Sequence, residues 1–277
     1  MSARIKISKL LNTLLLGLFT ITMLFPLLWM LSASFKYEVD VFNFPIEWIP
    51  PRWNAWNNYK EVWSSNYDFP LYYLNSIKVS VIVTVTQLLI ATMGAFAFAK
   101  LNFKYKQGLF ALFLATMMIP DQVTIVPKFM LLTWLGLIDT HGGLVLILLF
   151  SVYGVFLLRQ YMMSIPDSLI EAAKIDGAGY TRIFIQIVIP ISKPAIATLA
   201  ILRFIWTWDD YQNPLIFLNS KELFTLQLGM SQFASQSGTY YSLLMAAAVC
   251  AVVPLLLVFI AGQKFIVEGI TSGAVKG

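Results

Sequence analysis

From Leu10 to Phe35 the chain carries no charged residue. That run is about twice the 7–15-residue apolar core of a cleavable signal peptide. At 1.5 Å per residue, a helix made from it crosses the ~30 Å hydrocarbon layer of a bilayer. The pattern recurs at Leu71 to Ala99, Gly108 to about Ile125, Leu144 to Met162, Ala195 to Leu218 and Tyr241 to Phe265. Composition agrees. The sequence is 58% apolar and 12% charged, with a mean hydropathy of +0.74, whereas soluble domains are about 25% charged. The expected fold is all-α: a polytopic membrane protein with six transmembrane helices.

Charge orients these spans. Arg4, Lys6 and Lys9 precede the first, and Lys100, Lys104 and Lys106 mark the turn after the second. Placing both termini in the cytoplasm gives about twelve basic residues inside against five outside, the cytoplasmic excess of the positive-inside rule. Residues 36–70 then form an external loop whose Trp48, Trp53, Trp56 and Trp63 suit a membrane–water interface. Met118 to Gln122, with Pro120, breaks the third span near the outer face, and Pro127 to Leu137 reads as a short helix along that surface. Ala91, Ala95 and Ala99 form a small-residue stripe that lets helices approach closely. A net charge of +5, clustered at the ends of apolar runs, argues against nucleic-acid binding. Cys250 is the only cysteine and His141 the only histidine, which excludes an intrachain disulfide and a metal cluster.

One polar segment inside this apolar chain stands out, Ser164 to Pro194. Ser164 followed by Asp167, with Pro166 between them, reads as a capping box. Leu169 to Ile175 is rich in helix formers, and about ten residues of helix here make a rod of about 15 Å. Gly177 and Gly179 bracket its stop, through the left-handed conformation that ends helices. A second short helix is expected from Tyr180 to Ile189, ending before Pro190. Ala172 and Ala173 give the rod a smooth side, and Glu171 and Asp176 give it charged handles. On shape alone it fits either an amphipathic helix lying on the headgroups or a docking helix for a partner.

Glu171-Ala172-Ala173, three residues, Gly177, nine residues and Ile187-Val188-Ile189-Pro190 resemble the EAA motif of ABC-importer permease subunits. Ile189 stands where Leu is usual, a volume-conserving swap. The resemblance implies a type I ABC importer permease fold. It makes residues 164–194 a cytoplasmic coupling loop seated in an ATPase subunit, with Glu171, Ala172, Ala173, Asp176, Gly177, Ile187 and Pro190 as the coupling residues. The closing run Phe265 to Gly277 is similar to the ending of the second permease subunit of maltose- and oligosaccharide-type importers. Trp208 to Leu215 resembles a fifth-span pattern of carbohydrate permeases, with Asp209 where Asn is usual.

Charges inside a span usually face a cavity or a partner. Arg203 fits a contact with a partner-subunit acid. Trp206, Trp208, Asp209, Asp210, Tyr211 and Asn213 are candidates for a substrate pathway, since aromatic faces stack on sugar rings and carboxylates accept hydroxyl hydrogen bonds. The alternative is that this turn packs against a sister subunit or nears the outer surface. Three regions follow: residues 1–70, the first helix and external loop; 71–265, the transmembrane core with its coupling loop; and 266–277, a cytoplasmic tail.

The expected function is a permease subunit moving a sugar, most simply an oligosaccharide, by alternating access across a bacterial or archaeal cytoplasmic membrane. The resemblance implies a heterodimer with a second permease, two cytoplasmic ATPase subunits and an extracytoplasmic sugar-binding protein. It implies no cofactor on this chain, ATP and Mg being used by the partner ATPase. No G-x-x-x-x-G-K-[ST] phosphate loop occurs, and no Ser-His-Asp set or His/Cys cluster suggests an enzyme. An ion-coupled secondary transporter, or an ABC permease for a non-sugar solute, are the alternatives.

Overall fold

The computed structural model describes residues 2–64, 66–234 and 240–274. Side chains of 2–8, 232, 234 and 266–274 are outside the description, as are the whole residues 275–277, so the expected tail motif is seen only as backbone up to Ala274. In chain order the helices are α1 (Ser2–Ser34), α2 (Ala55–Val62), α3 (Phe69–Lys100), α4 (Lys106–Ala115) and α5 (Asp121–Trp134). They continue with α6 (His141–Leu148), α7 (Val152–Met163), α8 (Asp167–Ile175), α9 (Tyr180–Ile183) and α10 (Ile189–Ile191). The last are α11 (Lys193–Trp208), α12 (Gln212–Phe217), α13 (Leu226–Met230) and α14 (Tyr241–Ala274). No strand occurs among the described residues.

Three helices are long and apolar enough to cross a membrane unaided, Lys9–Ser34, Phe69–Lys100 and Tyr241–Phe265. Three further spans form only if bent helix pairs are counted as one span each, giving six. The six-span expectation therefore holds, but half of the spans are not the continuous helices that the apolar runs suggested.

The first arm of the third span ends at Met118, and α5 leaves at 100°. Lys106–Met118 reaches about 20 Å, some two thirds of the hydrocarbon thickness. Pro120 makes the turn and starts α5, which runs straight through Pro127. The separate surface helix expected from Pro127 to Leu137 is thus the second half of α5. The fourth span, expected unbroken from Leu144 to Met162, bends by 46° between α6 and α7. There the Ser151 hydroxyl accepts the Gly154 N–H and caps a new helix. The fifth, expected to reach Leu218, ends at Trp208. Asp210 then caps α12 by accepting the Asn213 backbone N–H at 3.1 Å. The sixth continues as helix to Ala274, into the expected tail.

The chain divides into two compact units. The first comprises residues 1–70 and 229–254. Along the apolar window of α1 nothing is buried, as suits a helix whose solvent is lipid or another chain. The loop after it is ordered by polar contacts. The buried Asn58 amide donates to the carbonyls of Ser34 and Lys36, 2.9 and 2.8 Å, which closes off the end of α1. Arg52 pairs with the nearly buried Asp40 at 2.9 Å. The Glu38 carboxylate accepts the N–H groups of Tyr241 and Ser242, 2.9 and 2.8 Å, capping α14 with a charge of the sign its N-terminus favours. Trp53 and Trp56 stay exposed, as an interfacial belt requires.

The second unit comprises residues 71–228 and 255–277. Its main core joins Ala91, Ala95 and Phe96 of α3 to Val155, Leu158 and Met162 of α7 and Leu199 of α11. Ala91 and Ala95 are buried in that core, and a Cβ at Gly94 would sit 3.4 Å from Val155 of α7. Where the fourth span breaks, the freed Leu148 carbonyl accepts from the Gln87 amide and the Arg203 guanidinium, both at 3.2 Å. Arg203 thus finds an acceptor inside its own chain.

Candidate functional site

Residues 164–194 form a helix–turn–helix fastened to the second unit. α8 begins at Asp167 with Pro166 at its N-cap. The capping box expected from Ser164 does not form. Ser164 instead terminates α7, its hydroxyl donating to the Tyr161 carbonyl at 2.7 Å. Asp167 takes a different partner, Lys100 at the end of α3, at 2.6 Å. The Lys100 side chain is 4% exposed and also donates to the Ile165 carbonyl at 2.6 Å. This anchor holds the start of the rod to the end of the second span. The Lys100 ammonium holds the Asp167 carboxyl below its ordinary pKa by hydrogen bond and charge. Sequence reading took Lys100 only as a topology marker, because its partner lies 67 residues away.

The rod ends as the glycine requires. Gly177 has φ +79°. Its N–H bonds Lys174 O at 3.0 Å and the Ala178 N–H bonds Ala173 O at 2.9 Å, the paired bonds of a Schellman stop. Gly179, expected to share that left-handed role, has φ −71° and is the extended N-cap of α9. The second helix does not end before Pro190. α9 passes into a π turn, Phe184–Val188, and α10 carries the helix through Pro190 to Ile191. The wider turn is one way a helix takes up a proline that cannot donate.

Burial separates the two faces of α8. Ile170 is 4% exposed in the core, and Ala173 packs against that core together with the buried Ile183 and Val188. Glu171, Ala172, Asp176 and Gly177 are exposed. Ile175 is 86% exposed, a bare apolar side chain on a polar loop that the motif did not single out. Ala173, Asp176 and Ile187 border a hollow of about 210 Å³ with Arg182 and Gln186, and the last two are joined by a 2.9 Å hydrogen bond. The smooth side expected of Ala172 and Ala173 is therefore split: Ala172 faces out and Ala173 faces the protein. Glu171 and Ile175 are exposed on α8 and do not line that hollow.

The second set of candidates does not gather into one site. Trp208 is 1% exposed and packs between Tyr73, at 5.4 Å, and Phe204, at 5.9 Å. Asp210 is engaged by Asn213 through both oxygens. Trp206, Asp209 and Tyr211 are exposed, with Trp206 set edge-on to Tyr153 at 5.5 Å. Among the described residues no group of His, Cys, Asp and Glu could hold a metal.

Residues 87–272 match the family model described as binding-protein-dependent transport system inner membrane component. The arabinooligosaccharides transport system permease protein AraQ of Bacillus subtilis (strain 168) is 31% identical over 277 residues, 100% of this chain and 99% of that protein. The galactooligosaccharides transport system permease protein GanQ of the same organism is 33% identical over 282 residues, at 100% and 99%. Among solved structures, a chain of a bacterial ABC transporter involved in import of the acidic polysaccharide alginate superposes with a TM-score of 0.82 at 26% identity, covering 94% of this chain and 96% of that one.

Proposed function

Because the chain belongs to the family of binding-protein-dependent transport system inner membrane components, we propose that it is the sugar-importing permease subunit of an ATP-driven importer, with an oligosaccharide as cargo. Relatives aligned along its whole length are named for oligosaccharides, and the superposed chain belongs to an importer of a polysaccharide. The chain is a multi-pass membrane transport component, and its sequence holds no phosphate loop, so the energy comes from a separate ATPase.

The observation that carries the coupling is the rod itself. Glu171, Ala172 and Ile175 are presented outward while Ile170, Ala173 and Lys100 fix the rod to the spans. Two cytoplasmic ATPase subunits using ATP and Mg, a second permease and an external sugar-binding protein complete the machine. Both termini and residues 164–194 lie in the cytoplasm. ATP drives transport by favouring one of two bundle states through contacts that differ between them. Glu171, Ala172, Ala173, Asp176, Gly177, Ile187 and Pro190 are assigned to coupling. Trp206, Asp209 and Tyr211 remain candidates for substrate contact, whereas Trp208, Asp210 and Asn213 serve internal packing and capping in this conformation.

Glu171→Lys and Gly177→Pro are expected to abolish uptake and co-purification of the ATPase while the chain still enters the membrane. Uptake at the unmodified rate in both would overturn the coupling role. Accessibility labelling around Ala173 in intact cells tests the orientation: modification from outside contradicts it.

A further inference from the structure

A pocket of about 540 Å³ opens where α3 ends, α4 begins and α7 ends. It is unrelated to the coupling residues. Two half-buried cations, Lys106 and Arg159, line it with the amides of Asn102 and Gln107. Neither cation forms an ion pair among the described residues. The nearby Asp167 carboxylate is held by Lys100.

The donor count leaves capacity facing that space. Lys106 Nζ donates to the carbonyls of Ala99, 3.3 Å, and Leu101, 2.8 Å, so one of its three N–H groups remains. Arg159 donates through Nε to Phe98 O at 3.2 Å and lies 4.0 Å from the Phe110 ring centroid. Its terminal nitrogens carry the remaining four N–H groups, a fork suited to a tetrahedral oxyanion. No side chain caps the start of α4 at the same pocket. Two partly desolvated cations whose nearby carboxylate, Asp167, is already engaged by Lys100 are costly, and a bound anion lowers that cost.

The surroundings identify which anion. Exposed Leu109 and Leu112 continue along α4 from the pocket, so an acyl chain can lie on α4 while its phosphate sits among the cations. Basic pockets between the ends of membrane helices are where anionic headgroups bind. We propose that this pocket binds the phosphate of an anionic phospholipid. The net negative headgroup matters, because a choline cation would oppose Lys106 and Arg159.

The test uses the purified chain, delipidated and titrated with phosphatidylglycerol, phosphatidylcholine or inorganic phosphate, with adducts counted by native mass spectrometry. Phosphatidylglycerol is expected to bind in preference to phosphatidylcholine, and equimolar inorganic phosphate is expected not to displace it. Removing the cations in Lys106→Gln/Arg159→Gln should weaken binding about fivefold for each charge lost, while Lys221→Gln, outside the pocket, leaves it unchanged. If the double variant does not fold, Gln107→Glu decides: a negative charge at the exposed rim should weaken phosphatidylglycerol binding without disturbing packing. Equal binding of both lipids, displacement by equimolar inorganic phosphate, or unaltered binding in Gln107→Glu and in a folded double variant would overturn the proposal.

Discussion

Gly177 and Asp167 bound the rod by different physics, and each can be tested alone. At Gly177 a Cβ would meet nothing within 4 Å, so the cost of a side chain is purely that of φ +79°. Gly177→Ala should destabilise the turn by about 1–2 kcal/mol, and Gly177→Asn by less, since Asn tolerates the left-handed region. Hydrogen exchange at residues 176–178 should rank the three as Gly slowest, then Asn, then Ala. Asp167 has its pKa depressed by Lys100, and Asp139 has its own depressed by hydrogen bonds from Ser220 and Asn219. A depressed carboxyl stabilises the fold above its unfolded pKa and stops doing so as pH falls through the folded one. Both contacts should thus be intact at neutral pH and weaken only below the ordinary carboxylate range, with faster exchange in α8 under acid. In Asp167→Asn that acid-induced loosening should already be present at pH 7. Gly177 was legible from the sequence because a glycine after a run of helix formers is a local signal. Lys100 was not, because nothing near it in sequence announces Asp167.

The same division between local and distant chemistry governs the elements. The unbroken spans α1, α3 and α14 follow from apolar length alone, and Pro120 announced the third-span break. The bend between α6 and α7 was invisible because no proline marks it. It is stabilised by Gln87 and Arg203, which reach the Leu148 carbonyl from 61 and 55 residues away. In an apolar surrounding a carbonyl left without a donor costs about 1–3 kcal/mol. Gln87→Leu still leaves Arg203 as a donor and should cost less than that, whereas Gln87→Leu/Arg203→Leu, which leaves the carbonyl bare, should destabilise the second unit by about that amount. Thermal unfolding of the purified chain measures both. Equal stability in the double variant would show that the bend does not depend on these donors.

For the molecule as a whole, the 164–194 loop and the spans share one core. Ile170 of α8 is buried in the cluster that holds α3, α7 and α11 together. Ile170→Ala should cost about 2–5 kcal/mol in thermal stability and should reduce uptake with Glu171 and Gly177 untouched. Unchanged uptake would mean that the rod works without its seat. The motif marks both faces of this arrangement, Glu171, Ala172 and Gly177 on the exposed side and Ala173 and Val188 on the packed one. Ile170 and Ile183 lie outside it and are ordinary apolar residues until the fold brings them together. The loop is thus not a paddle on a free hinge but a handle bolted to two shafts of unequal stiffness. α3 is one continuous helix of 32 residues, about 48 Å end to end, whereas the shaft through α7 has a 46° elbow. Under the proposed coupling role, a tug on the handle would travel along the first shaft as along one rigid rod, whereas the second has a bend at which it can flex.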